Sequence, residues 1–157
     1  MTLEGLDELY REVVLDHYRH PQNRGTIENP SVVAEGSNPF CGDEVALYLK
    51  LDDGHVTDVA FTGRGCSISQ ASASMMTDVI KGKSLEEVRA LFTTFRGMMH
   101  GEGMPGGQDL GDLEALEGVR KYPIRIKCAL LAWTTLQDGL ESHQVDKTVP
   151  KGNRHQE

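Results

Sequence analysis

The pattern of this chain predicts an α+β fold: a small, mainly antiparallel sheet of about three strands with helices packed on one face. Two observations carry that prediction. Glu44 to Leu51 alternates apolar and polar residues and Val56 to Phe61 returns the same pattern after Asp52-Asp53-Gly54, which reads as a hairpin. Around that hairpin, four stretches place apolar residues at steps of three and four, the spacing of helices with one buried face.

The first such stretch spans residues 5–18, with Leu6, Leu9, Tyr10, Val13, Val14 and His17 on one side, and it should stop near Pro21. The first part of Val32 to Phe40 reads as a strand of small residues, and Asn38 and Pro39 mark a loop. In the hairpin, Val45, Leu47, Leu49 and Leu51 share one face, as do Val59 and Phe61 on the returning strand. Gly63 and Gly65 then turn the chain into a helix over residues 66–81, where Ile68, Ala71, Met75 and Val79 repeat and Gly82 closes the element. Ser84, Glu86 and Glu87 open the next helix with a capping serine and an acidic first turn, and Leu85, Val88, Leu91, Phe92 and Phe95 form its buried face.

Gly97 to Gly111 is glycine-rich and reads as an exposed, mobile loop, followed by a short helix over Leu113 to Val119. Pro123 suits the first turn of a last helix whose stripe is Ile126, Ala129, Leu130, Trp133, Leu136 and Leu140. After about Glu141 the pattern is lost, so the expected organisation is one domain over residues 1–142 and a flexible C-terminal tail over 143–157.

Sixteen basic against twenty-four acidic residues give a formal charge of −8, with the acids dispersed. That balance argues against a nucleic-acid surface. No apolar run approaches the ~20 residues of a membrane span, so no membrane partner is expected and a cytoplasmic location is. Three cysteines, Cys41, Cys66 and Cys128, suit a reducing compartment, and no pair among the six histidines has the spacing of a helical zinc motif.

Cys66 falls at or beside a helix N-cap, where unpaired backbone N–H groups and the helix dipole favour a thiolate. Cys41, Gly42 and Asp43 set a sulfur and an oxygen two residues apart across a glycine. If the hairpin brings Cys41 and Cys66 to one sheet edge, and the last helix starts there, Cys128 completes a tetrahedral site of three sulfurs and one oxygen. Zinc is the natural occupant of such a set and an iron–sulfur cluster its rival. Arg64, Arg125 and Lys127 are cations near enough in sequence to offset the excess negative charge. Spacing alone leaves two readings open, because there is no C-x-x-C: the cysteines as a ligand set, or as separate core residues with Asp43 a turn residue.

Three segments extend this reading. Asn38-Pro39-Phe40-Cys41-Gly42-Asp43, Gly63-Arg64-Gly65-Cys66-Ser67-Ile68-Ser69 and Arg125-Ile126-Lys127-Cys128 resemble, in order, the cysteine motifs of the IscU/NifU-N family of iron–sulfur cluster assembly proteins. Within that family the chain is most similar to the SufU branch. Scaffold-type members carry histidine where Lys127 stands and a Leu-Pro-Pro-Val-Lys chaperone-recognition segment where this chain has Lys121 to Arg125, and residues 97–118 look like the SufU insertion. The resemblance implies a zinc-dependent sulfur acceptor, a sulfurtransferase that takes persulfide from a SufS-type, pyridoxal-phosphate cysteine desulfurase and passes it toward a downstream cluster scaffold. It implies Cys41, Asp43, Cys66 and Cys128 as metal ligands and Arg125 as a desulfurase contact. Cys41, in a loop beside Gly42, is expected to be the sulfur acceptor because it moves at least structural cost. The alternatives are a scaffold assembling a [2Fe–2S] cluster on the same cysteines, and a purely structural zinc domain.

Overall fold

The computed structural model describes residues 8–38, 42–102 and 109–148. Its elements are α1 (Glu8–Arg19), β1 (Val32–Asn38), β2 (Asp43–Asp52), β3 (His55–Arg64), α2 (Ser67–Ile80), α3 (Leu85–Met99), a run of 3-10 turns (Gly111–Lys121) and α4 (Pro123–Thr148). The three strands form one antiparallel sheet in the order β1-β2-β3, as the alternation predicts.

The turn between β2 and β3 follows from its two residues. Asp53 and Gly54 both adopt positive φ, 53° and 77°, the requirement of the tight hairpin whose twist matches its strands. One expectation changes here: the pairing shifts register between Lys50 and Leu51, so Leu51 leaves the buried file of Val45, Leu47 and Leu49 and is only half-buried. The far edge of β3 is covered, since Phe61 N–H donates to the Asn23 carbonyl at 3.0 Å and Gly25 N–H to the Phe61 carbonyl at 2.8 Å.

The helices lie against one face of the sheet. α4 crosses β1 so closely that a Cβ on Gly139 would sit 2.7 Å from the Ala34 Cβ, which explains glycine in mid-helix. Trp133, fully buried, stacks on Phe92 at 5.8 Å and contacts Phe95 at the same distance, fastening α4 to α3. Ser84 and Glu87 form a reciprocal capping box at the start of α3.

Two loop expectations are corrected. Gly97 to Met99 are the buried last turn of α3, and Leu110 is fully buried, so the chain leaves the core later and returns sooner than its glycine content predicts. Residues 103–108 lie outside the described residues. α4 runs past Glu141 to Thr148. Among the described residues, no helix is long and apolar enough to cross a membrane.

Candidate metal centre

Three elements meet at one end of the sheet. β2 begins there with Asp43, β3 ends there with Arg64 and leads into α2, and α4 starts beside them. Strand antiparallelism and the turn at Gly65 after Arg64 bring residues 43 and 66 together, and Cys128 comes up from the second turn of α4. One ligand atom each from Asp43, Cys66 and Cys128 lies within 4.8 Å of the others. Asp43 and Cys128 are fully buried, and Cys66 is partly exposed. Cys41 lies outside the described residues.

Each donor is oriented by a local device. The Asp43 carboxylate accepts the Cys66 backbone N–H at 2.9 Å through Oδ1, which leaves Oδ2 facing the Cys66 thiol at 4.0 Å. This contact needs Gly65: its φ is +146°, and any Cβ there would collide with the Asp43 carboxylate and lie 2.9 Å from its Cα. Cys66 is the N-cap of α2 in extended geometry, as its position after two glycines predicts. The neighbouring Cys128 thiol is the main cause that holds the Cys66 pKa down from 9.0 to about 6. Burial works against the shift, the Ser69 N–H assists it, the Asp43 charge opposes it and the Ile68 N–H adds to it.

Cys128 donates to the Ile124 carbonyl one turn back at 3.8 Å, and Arg125 Nη1 approaches its sulfur at 4.0 Å, on the face that the three-residue spacing predicts. Asn38 Nδ2 reaches the same sulfur at 3.9 Å. Asn38 was expected to mark a loop; it is instead the last residue of β1, 7 % exposed and paired with Asp43 across the ladder. Its inward position continues the parity of Val32 and Ala34, a signal the following proline obscures. Arg64 does not serve the cluster. Its guanidinium pairs with Glu44 at 3.1 Å, and Glu44 stands on the face of β2 opposite Asp43. Lys127 is exposed.

The donor set fits a thiophilic divalent metal. Tetrahedral zinc with bonds of about 2.3 Å to sulfur needs sulfurs about 3.8 Å apart, so the 4.8 Å spread closes with side-chain motion of about an ångström.

Residues 9–146 match the model of the NifU-like N-terminal domain. The chain belongs to that family. As a NifU-like N-terminal domain it is 50 % identical over 140 residues to the zinc-dependent sulfurtransferase SufU of Bacillus subtilis, covering 89 % of this chain and 95 % of that one. It is 42 % identical to the iron–sulfur cluster assembly scaffold protein IscU of Streptococcus pyogenes, over 97 % of this chain and 98 % of the relative. Among solved structures, an iron–sulfur cluster assembly scaffold protein of the SUF system from Fervidobacterium islandicum superposes with a TM-score of 0.77 at 38 % identity, covering 82 % of this NifU-like domain and 94 % of its own chain.

Proposed function

We propose that this protein is a zinc-dependent sulfur acceptor that takes persulfide from a SufS-type cysteine desulfurase and hands it toward a downstream cluster scaffold, in the cytoplasm. The observation that carries the reading is the convergence of Asp43, Cys66 and Cys128 within 4.8 Å, in a chain half identical to a zinc-dependent sulfurtransferase. Cys41, two residues before Asp43 in the chain, is the fourth ligand and the acceptor. Bound zinc would supply positive charge that keeps the thiols deprotonated yet unreactive.

The chain's own groups divide the work. Cys128 and Asp43 are buried and anchored on α4 and β2, while Cys66 is stabilised as thiolate chiefly by the Cys128 thiol, with the Ser69 and Ile68 N–H groups of α2 assisting. Once a donor group on the docking desulfurase replaces it in the ligand set, the freed Cys41 thiolate attacks the outer sulfur of the desulfurase persulfide. A sulfur–sulfur bond forms on Cys41 as the one on the desulfurase breaks, the outgoing thiolate keeps the electron pair, and the proton stays with the transferred sulfur. No oxidant or reductant is consumed. Arg125, beside the cluster, presents a guanidinium suited to a carboxylate on the docking enzyme.

The test is to quantify zinc, iron and acid-labile sulfide in protein purified without oxygen, then locate persulfide by mass spectrometry after turnover with a desulfurase. One zinc per chain and persulfide on Cys41 is the expected result. Iron and sulfide in equal amounts would instead favour the scaffold reading, to which the likeness to the streptococcal IscU lends weight. Persulfide confined to Cys66 or Cys128 would overturn the acceptor assignment.

A further inference from the structure

We infer that Asn38 is a positioning residue that holds the Cys128 sulfur as the fixed, non-accepting thiolate of the centre through its side-chain N–H, and so directs incoming sulfur away from Cys128. The inference rests on the sulfur-acceptor reading above and adds a determinant of which cysteine is used.

The Cys128 sulfur meets its neighbours differently in its two states. As a thiol it donates to the Ile124 carbonyl at 3.8 Å. As a metal-bound thiolate it has no proton to donate, and that carbonyl oxygen becomes an unfavourable neighbour at the same distance. A buried anion requires donors. Two lie in reach, Arg125 Nη1 at 4.0 Å and Asn38 Nδ2 at 3.9 Å.

These donors differ in what they are free to do. Arg125 is half-buried on a helix start at the molecular surface, next to exposed Ile124, and under the proposed function it turns toward the desulfurase. Asn38 is 7 % exposed, ends a strand, and shares a rung of the ladder with the ligand Asp43. Residues opposite one another in an antiparallel pair project to the same side, so this rung delivers one oxygen ligand and one amide donor to the same centre. When Arg125 engages a partner, the Asn38 amide remains on the sulfur.

An N–H···S bond draws electron density from the thiolate, which weakens it as a nucleophile and fixes its lone-pair direction toward the metal. Cys66 has no such side-chain amide among its described partners; its side-chain neighbours there are Asp43 and Cys128. The three sulfurs are therefore graded: Cys128 buried and held by an amide, Cys66 at the start of α2 among Asp43, the Cys128 sulfur and backbone N–H groups, and Cys41 as the acceptor.

The test uses the full chain loaded with cobalt(II), whose thiolate-to-metal charge-transfer absorption reports sulfur lone-pair energy. Wild type is compared with Asn38→Leu, which keeps the branched outline at Cγ and removes the amide. Asn38→Ala, which removes the amide without adding charge or a metal donor, is used if the leucine variant does not fold by circular dichroism. The expected result is a charge-transfer band at longer wavelength, or weakened, in a folded variant, with persulfide appearing on Cys128 as well as Cys41 after turnover with a desulfurase. A band unchanged in position and intensity, or persulfide still on Cys41 alone, would overturn the role given to Asn38. Absence of any thiolate band in the wild-type protein, or wild-type persulfide away from Cys41, would instead remove the reading on which it rests.

Discussion

Gly65 illustrates how one missing methyl group builds a candidate metal site. With no Cβ it lets the Asp43 carboxylate lie against the backbone and accept the Cys66 N–H. Gly65→Ala should displace that carboxylate and, because its φ of +146° is strained for alanine, lower stability by about 1–3 kcal/mol. Metal titration followed by urea unfolding checks both effects; a variant that binds zinc like wild type would show that Asp43 is not held this way. The neighbouring Cys66 gives a pH prediction for metal-free protein. With its pKa lowered from 9.0 to about 6, its alkylation by iodoacetamide should rise through a midpoint near pH 6. An acid whose folded pKa is depressed stabilises the fold fully only above its unfolded value, so stability of the metal-free protein should increase between about pH 6 and pH 9 and lose this contribution as pH falls through 6.

Between elements, a buried histidine does work that its place in the sequence conceals. His17, 5 % exposed, holds Ser74 Oγ of α2 at 2.7 Å and Asp112 Oδ2 of the 3-10 segment at 2.9 Å. Ser74 also accepts the Gln22 N–H at 2.7 Å. The order Asp-His-Ser has the look of a hydrolytic triad, but Ser74 has no solvent exposure and no substrate reaches it. It is a clamp tying the 3-10 segment to α1 and α2. His17→Ala should cost about 1–3 kcal/mol through the unsatisfied partners, and should raise amide hydrogen exchange over residues 109–121 more than elsewhere. Uniform exchange across the chain would refute the clamp. Legibility divides along this line. Periodicity identified the hairpin, α2, α3 and α4 because their apolar residues repeat within one element. His17 was read as one more position of an apolar stripe, since its partners lie 57 and 95 residues further on. Asn38 was masked by the proline after it, and the extent of α3 by the glycines beyond. Arg64 was placed near the cluster by sequence proximity, whereas strand alternation sends it to Glu44 on the other face. The trio Asp43, Cys66 and Cys128 was legible as a candidate ligand set from the strand order and the order of the motifs, and the structure brings the three together.

At the scale of the molecule, the centre ties together elements that otherwise touch it from different directions: the sheet, α2 and α4. Metal that binds only the folded chain stabilises it by mass action, by about 2.7 kcal/mol at a hundredfold excess over its dissociation constant. For a chain of this size that corresponds to a rise in melting temperature of roughly 5–10 °C. Calorimetry with added zinc and then with a chelator checks this, and the rise should be absent in Cys128→Ser.

The candidate ligands also arrive at very different times during synthesis. Asp43 and Cys66 emerge early and pair within one hairpin and its following turn, but Cys128 is added 62 residues after Cys66. Domains fold as they leave the ribosome from the N-terminal side. A nascent chain therefore lacks the α4 donor until that helix docks, and the described donors converge only when the whole core has closed. A metal held at this centre would thus mark a chain whose core has closed through α4.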